Sequence, residues 1–224
     1  MREIVLDTET TGLDPAAGHR IVEVACLELM HHIPSGRHFR RYVNPQRDMP
    51  EEARAVHGLT EEFLAKHPVF AEVADEFLEF IGDAPLVIHN ARFDIGFLNA
   101  EFERLGRPPF PESRAIDTVA LARQRFPGAQ ASLDALCRRF EIDNSARAFH
   151  GALLDCELLA EVYLELRGGR QPGFDLDAGA RGGAAAAGAP KRSARPARPH
   201  APTPEERAAH EALLARIKDP IWNS

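Results

Sequence analysis

The sequence predicts an α/β fold, a mixed sheet flanked by helices. Three observations carry this. Three runs of strand length fall within residues 2–43. Apolar stripes at helical spacing then alternate with one further short strand. The last stripe stops at Gly168-Gly169, where the composition changes abruptly.

The first strand covers residues 2–8 and reaches Glu9, with Ile4-Val5-Leu6 as its apolar centre. Side chains alternate along a strand, so Val5, Asp7 and Glu9 share one face. Gly12 closes the segment. Ile21 to Leu29 is apolar enough for a strand over 21–30, and a third covers 37–43. Phe70, Val73, Ala74, Phe77, Leu78 and Ile81 form the stripe of a helix over 70–82. Pro85 to His89 is a short strand. A helix over 92–105 follows, carrying Asp94, Phe97, Leu98, Phe102 and Leu105 on one face. Helices are expected near 117–126 and 132–140, with Asp117 as a cap. The final helix of this region spans 151–167. Its stripe is Leu158, Leu159, Val162, Tyr163 and Leu166, and Asp155 precedes it at the spacing that keeps it on the same face. His150 falls on the loop just before.

The chain of 224 residues, 44% of them hydrophobic, is long enough for one sizeable domain with extras. No long uncharged run suits a membrane span, and Met1 to Val5 leads into a strand and not a signal peptide. Cys26, Cys137 and Cys156 are odd in number and widely spaced, which suggests reduced thiols in a cytoplasmic protein and no zinc site.

Asp7, Glu9, Asp94 and Asp155 each sit on a face that should be apolar. Each has an ordinary explanation taken alone: a strand end reaching solvent, or an acid favoured by a helix dipole. Together they need positive charge to stay ionised in one place. Carboxylate oxygens suit Mg²⁺ or Mn²⁺. Two such ions, about 3.5–4 Å apart, can clamp in-line attack on a phosphodiester. An imidazole has an ordinary pKa of about 6.5, so His150 can act as general base near neutral pH.

The segments His89 to Phe97 (HNARFDIGF), Ser132 to Ser145 (SLDALCRRFEIDNS) and His150 to Tyr163 (HGALLDCELLAEVY), with the Asp7-x-Glu9 pair, resemble the DEDD exonuclease family in its histidine subgroup. The resemblance is strongest to the proofreading enzymes of bacterial replicative polymerases and covers residues 2–169. It implies a ribonuclease H-like fold and two-metal 3′→5′ hydrolysis of DNA, releasing nucleoside 5′-monophosphates. It implies Asp7, Glu9, Asp94 and Asp155 as metal ligands and His150 as the base. It also implies that Val56 and His57 meet the terminal nucleotide and that Leu13 and Phe93 pack on terminal bases. Ordinary core or loop packing is the alternative for those two. Thr8 and Thr11 offer backbone or hydroxyl contacts. An RNA-trimming exonuclease of the same family and a non-catalytic adaptor are the competing functions.

The net charge of −7 is awkward for a protein that holds a DNA 3′ end unaided, so a partner is expected to deliver the strand. Residues 1–169 are read as the exonuclease domain. Residues 170–176 are similar to a clamp-binding peptide, with Gln171, Phe174 and Leu176 as anchors, although simple chain continuation also accounts for them. Residues 177–203 are rich in Ala, Gly, Pro and Arg and read as a flexible linker. Residues 204–224 carry a helix-start signal, a short apolar face and Trp222. A helix this short is marginal alone. The resemblance implies that it binds the polymerase catalytic subunit, and docking on its own domain is the alternative.

Overall fold

The computed structural model of the chain describes residues 1–145, 150–169 and 201–217. Contacts divide it into two units, Met1–Phe174 and Asp175–Ser224. In the first, β1 (Arg2–Thr10), β2 (Ile21–Met30) and β3 (Ile33–Tyr42) precede the helices α1 (Glu51–His57), α2 (Glu61–Leu64) and α3 (Phe70–Ile81). Then come β4 (Leu86–Ile88), α4 (Ala91–Arg104), β5 (Ala115–Asp117), α5 (Thr118–Arg125), α6 (Leu133–Phe140) and α7 (Ala152–Leu166). The five strands form one sheet in the order β3-β2-β1-β4-β5. The β1/β2 and β2/β3 pairs are antiparallel, whereas β1/β4 and β4/β5 are parallel. The chain thus has the mixed, helix-flanked sheet expected of a ribonuclease H-like fold.

Strand alternation divides the core. Ile4 and Leu6 pack with α3 and α4 residues such as Phe77, Phe97 and Phe102 on one side of the sheet. Val5 packs with Leu136, Cys156, Leu159 and Val162 on the other, under α6 and α7. β1 is therefore covered on both faces, and side chains near its C-terminal end can meet groups from either helical layer.

The structure adds elements that periodicity could not resolve. α1 and α2 are too short to display a repeating stripe, and β5 has three residues. Their signals are local. α1 has Glu51 and Glu52 in its first turn, and Gly58 after it at φ 73°. The Thr60 side chain caps α2 at the Phe63 amide. β3 begins at Ile33, four residues before the expected strand. His31 and His32 make the two-residue turn with φ 55° and 67°, a hairpin conformation usually given to Asn or Gly. Asp117 is the cap expected of it, accepting from the Val119 amide at 2.9 Å.

A buried carboxylate ties β1 to the end of α7. Glu3 is fully buried and accepts from the Tyr163 hydroxyl at 2.7 Å, and His32 Nδ1 lies 2.7 Å from its other oxygen. Burial, and then the Glu3 carboxylate, push the Tyr163 phenol up, so it stays a donor at every ordinary pH. Tyr163→Phe is expected to cost about 1.5–3 kcal/mol, because it strips a donor from a buried charge. The denaturant midpoint measures this, and a midpoint equal to that of the parent would rule it out.

In the second unit, Thr203 and Glu206 close a reciprocal capping box at the start of α8 (Pro204–Leu214). Leu213 and Ile217 are exposed. Gln171, Phe174, Leu176 and Trp222 lie outside the described residues, as does most of the expected linker. Among the described residues no helix is long and apolar enough to cross a membrane.

Candidate active site

Three elements, β1, α4 and α7, carry the expected acids, and those on the two helices meet the C-terminal end of β1. Asp7 and Glu9 follow Val5 by alternation and so face the α7 side. Asp155 projects from the first turn of α7. His150 precedes that helix, and its backbone amide donates to the Val56 carbonyl at 3.1 Å, tying the loop to α1. His150 Nδ1 lies 3.4 Å from Asp155 Oδ2. One donor atom each from Glu9, His150 and Asp155 falls within 4.8 Å of the other two.

Asp94 arrives from the opposite face. It lies in the first turn of α4, and its Oδ1 accepts from the Thr8 amide at 3.0 Å and the Thr8 hydroxyl at 2.8 Å. Thr8 sits between Asp7 and Glu9 in β1, so this contact carries Asp94 across the strand end. The Cys156 thiol, buried one residue after Asp155, faces the Val5 and Ala25 carbonyls; burial first, and then nearby acids led by Asp7, push its pKa well up.

This arrangement is poor for uncompensated anions. Asp94 is 2% exposed and Asp155 5%. Burial pushes the Asp94 carboxyl up to about 7; the two Thr8 hydrogen bonds oppose the rise and the Asp117 charge adds to it. Glu9, Asp155 and His150 form a mainly oxygen donor set that fits a hard divalent cation, which would offset the charge; Asp94, through Thr8, and Asp7, by alternation, belong to the same strand end without joining that close group. The residues present therefore fit the metal dependence that the sequence leads one to expect.

A cleft of about 540 Å³ opens beside Glu9, lined by Thr8, Thr11, Leu13, Val56, His57 and Phe93 among others. The six residues expected to meet a nucleotide thus line one space. Leu13 is 85% exposed and Val56 46%, unusual for apolar side chains unless something covers them. The structure gives the two threonine hydroxyls internal partners. Thr8 is engaged with Asp94, and Thr11 bonds the His19 ring and accepts from the Arg20 amide. Gly12 shapes the rim, because a Cβ there would come within 2.4 Å of the His19 ring.

His57 is buried, and its Nδ1 accepts from the Leu59 amide at 3.0 Å. A neutral ring then carries its proton on Nε2, which is buried. Burial holds the imidazolium form down; the Thr10 carbonyl opposes this and the nearby His150 adds to it. His57 is therefore a neutral donor lining the cleft.

Asp117 does more than the cap expected of it, and Glu23 escapes sequence reasoning. Asp117 not only caps α5 but accepts from the Asn90 amide at 3.2 Å, holding the left-handed Asn90 (φ 66°) that starts α4. Glu23, on β2, is 1% exposed and pairs directly across from Glu9. Its place in an apolar strand was the available signal.

Comparison with known proteins agrees with this geometry. A family described as Exonuclease matches residues 4–163. The chain is 55% identical to the DNA polymerase III subunit epsilon of Rickettsia felis, over 79% of its own length and 78% of the relative's. It is 46% identical to the subunit of the same name from Escherichia coli, over 97% and 93%. Among solved structures, Exonuclease X in complex with 5′ overhanging duplex DNA aligns with a TM-score of 0.57 at 27% identity, covering 73% of this chain and 90% of that one. The nuclease domain of 3′hExo, a DEDDh family member bound to rAMP, shares the fold, with a TM-score of 0.65 at 19% identity over 74% and 90%. The convergent acids, the histidine and these matches together place the chain in the exonuclease family, among the relatives named DNA polymerase III subunit epsilon.

Proposed function

We propose that the chain is a proofreading 3′→5′ DNA exonuclease in which Asp7, Glu9, Asp94 and Asp155 hold two divalent cations, Mg²⁺ or Mn²⁺, and His150 is the general base. The observation that carries this reading is the meeting of Glu9, His150 and Asp155 within 4.8 Å at the edge of a nucleotide-sized cleft.

When bound, such cations acidify a water and neutralise charge on the phosphoryl and leaving oxygens. The chain does the rest. Leu13, Val56 and Phe93 offer apolar surface to a terminal base, which suits an enzyme that must accept all four bases. His57 lines the same cleft, and the Leu59 amide on its Nδ1 fixes the orientation of the ring. His150, 46% exposed at the site's edge, takes the proton of the attacking water. Asp155 lies beside its ring and orients it. Mismatch selectivity comes partly from fraying, since an unpaired end costs less to open.

The partners follow from the relatives' name and the tail. α8 with Trp222 binds the polymerase catalytic subunit, and the peptide around Gln171, Phe174 and Leu176 grips a sliding clamp. The buried Cys26, Cys137 and Cys156, none in a disulfide, suit a cytoplasmic setting. Removing residues 170–224 should abolish capture of both partners and spare hydrolysis of free DNA. Retained capture by the shortened chain would refute the tail assignment.

One assay tests the activity. A 3′-labelled DNA primer should release labelled 5′-monophosphate, with the reaction stopped by chelator and restored by Mg²⁺ or Mn²⁺. The RNA equivalent should be cut more slowly. Preferential cutting of RNA would favour the RNA-trimming alternative, and no cutting of either would leave the adaptor.

A further inference from the structure

We propose that Glu23, held by Arg40, is a positioning residue that fixes the segment carrying His150 and Asp155. The proposal rests on the nuclease reading above.

α7 begins without a cap of its own. Its N-cap residue is Gly151, which has no side chain to accept from the first free amides. Glu23 supplies the acceptor from another element: its Oε2 takes the Ala152 amide at 3.4 Å, a long but buried contact. Its other oxygen, Oε1, accepts from Arg40 Nε at 2.6 Å. The Arg40 guanidinium also lies 4.7 Å from the Tyr42 ring centroid, which restrains it further. A carboxylate at a helix start is favoured by the helix dipole, and this one joins β2 to α7 two residues after His150.

The register explains why this clasp is needed. Glu9 and Glu23 are directly opposed on neighbouring antiparallel strands, so both point to the α7 face, and both are buried. Like charges in that relation repel. A loose second carboxylate beside Glu9 would compete for cations and displace the ligand set. Arg40 and the Ala152 amide hold Glu23 turned to the helix start, so one acid stabilises α7 while its neighbour stays in the site. The same contact sets the height of α7 against the sheet, and with it the spacing between Glu9 and both Asp155 and His150. Errors of about 1 Å in such spacing can cost 10²-fold in rate.

The test uses the full chain with a 3′-labelled DNA primer and saturating Mg²⁺, well below each variant's melting temperature. Glu23→Ala should lower kcat by about 10–100-fold with little change in KM. Glu23→Gln keeps one acceptor oxygen for two donors, Arg40 and Ala152, and should lose less than Glu23→Ala. Arg40→Met leaves the Glu23 charge unrestrained beside Glu9 and should also lower kcat, and adding Glu23→Gln to it should recover most of the loss. A merely structural salt bridge would make the double variant no better than Arg40→Met. Amide exchange over residues 150–156 should quicken in Glu23→Ala and quicken less in Glu23→Gln, whether or not the chain cuts DNA. The inference fails if Glu23→Ala keeps kcat within twofold, if the double variant shows no recovery, or if exchange is unchanged. Should Glu23→Ala not fold, the Arg40→Met pair and the exchange of Glu23→Gln decide. A parent chain that cuts nothing overturns the nuclease reading, and the exchange result still judges the clasp.

Discussion

Asp7→Ala is expected to lose divalent-cation binding and hydrolysis together, with a fall in kcat on the order of 10³-fold or more. Metal-derived stabilisation of a phosphoryl transition state amounts to several kcal/mol, and each 1.36 kcal/mol is tenfold in rate. Asp7 lies on the β1 face that points toward α7, two residues before Glu9, so its removal takes away one of the acids proposed to hold the ions. Calorimetric titration with Mn²⁺ gives the binding readout. The parent chain should bind more tightly as pH rises through about 7. The reason is the Asp94 carboxyl, which burial pushes up to about 7. Its folded-state pKa is raised, so its protonated form favours the ion-free fold at low pH, and that stability is lost as pH climbs through this value. A cation replaces the proton and relieves the penalty. Asp7→Ala should show no such pH-dependent uptake. Normal Mn²⁺ affinity in this variant would remove Asp7 from the ligand set.

His150→Ala should separate binding from chemistry. Loss of a general base typically costs 10²–10⁴-fold, so kcat should fall within that range. Cation affinity should change little if the carboxylates hold the ions. The structure makes this a demanding test, because the imidazole lies close enough to Glu9 and Asp155 to act as a ligand itself. A variant that loses cation affinity as sharply as Asp7→Ala would make His150 a ligand. A variant with near-parental turnover would leave it neither. The backbone amide of residue 150 still reaches the Val56 carbonyl after the substitution, so the loop keeps its tie to α1.

Much of this was readable from spacing. Alternation in residues 4–9 placed Asp7 and Glu9 on one face, and the stripes of α4 and α7 placed Asp94 and Asp155 on core-facing sides. These are local properties of a period of 2.0 or 3.6 residues, and the structure shows Asp94, Asp155 and Glu9 buried. The short elements α1, α2 and β5 were not readable the same way. α1 is the instructive case. It brings Val56 and His57 to the cleft, yet at seven residues it is too short to display a stripe. The orientation of the His57 ring depends on the Leu59 amide occupying Nδ1, which no spacing rule foretells.

By itself, the sequence determined the kinds of element, the faces on which the acids lie and, through its motifs, the family. Those depend on intervals of a few residues, within which backbone geometry leaves little choice. Only the tertiary structure decided that Asp94 crosses β1 through Thr8, that one cleft gathers Leu13, Val56, His57 and Phe93, and that Glu23 reaches Ala152 across 129 residues of chain. Such contacts form because packing two helical layers on a sheet closes long loops, and the entropy of that closure is set against burial of the whole core and not of any single segment.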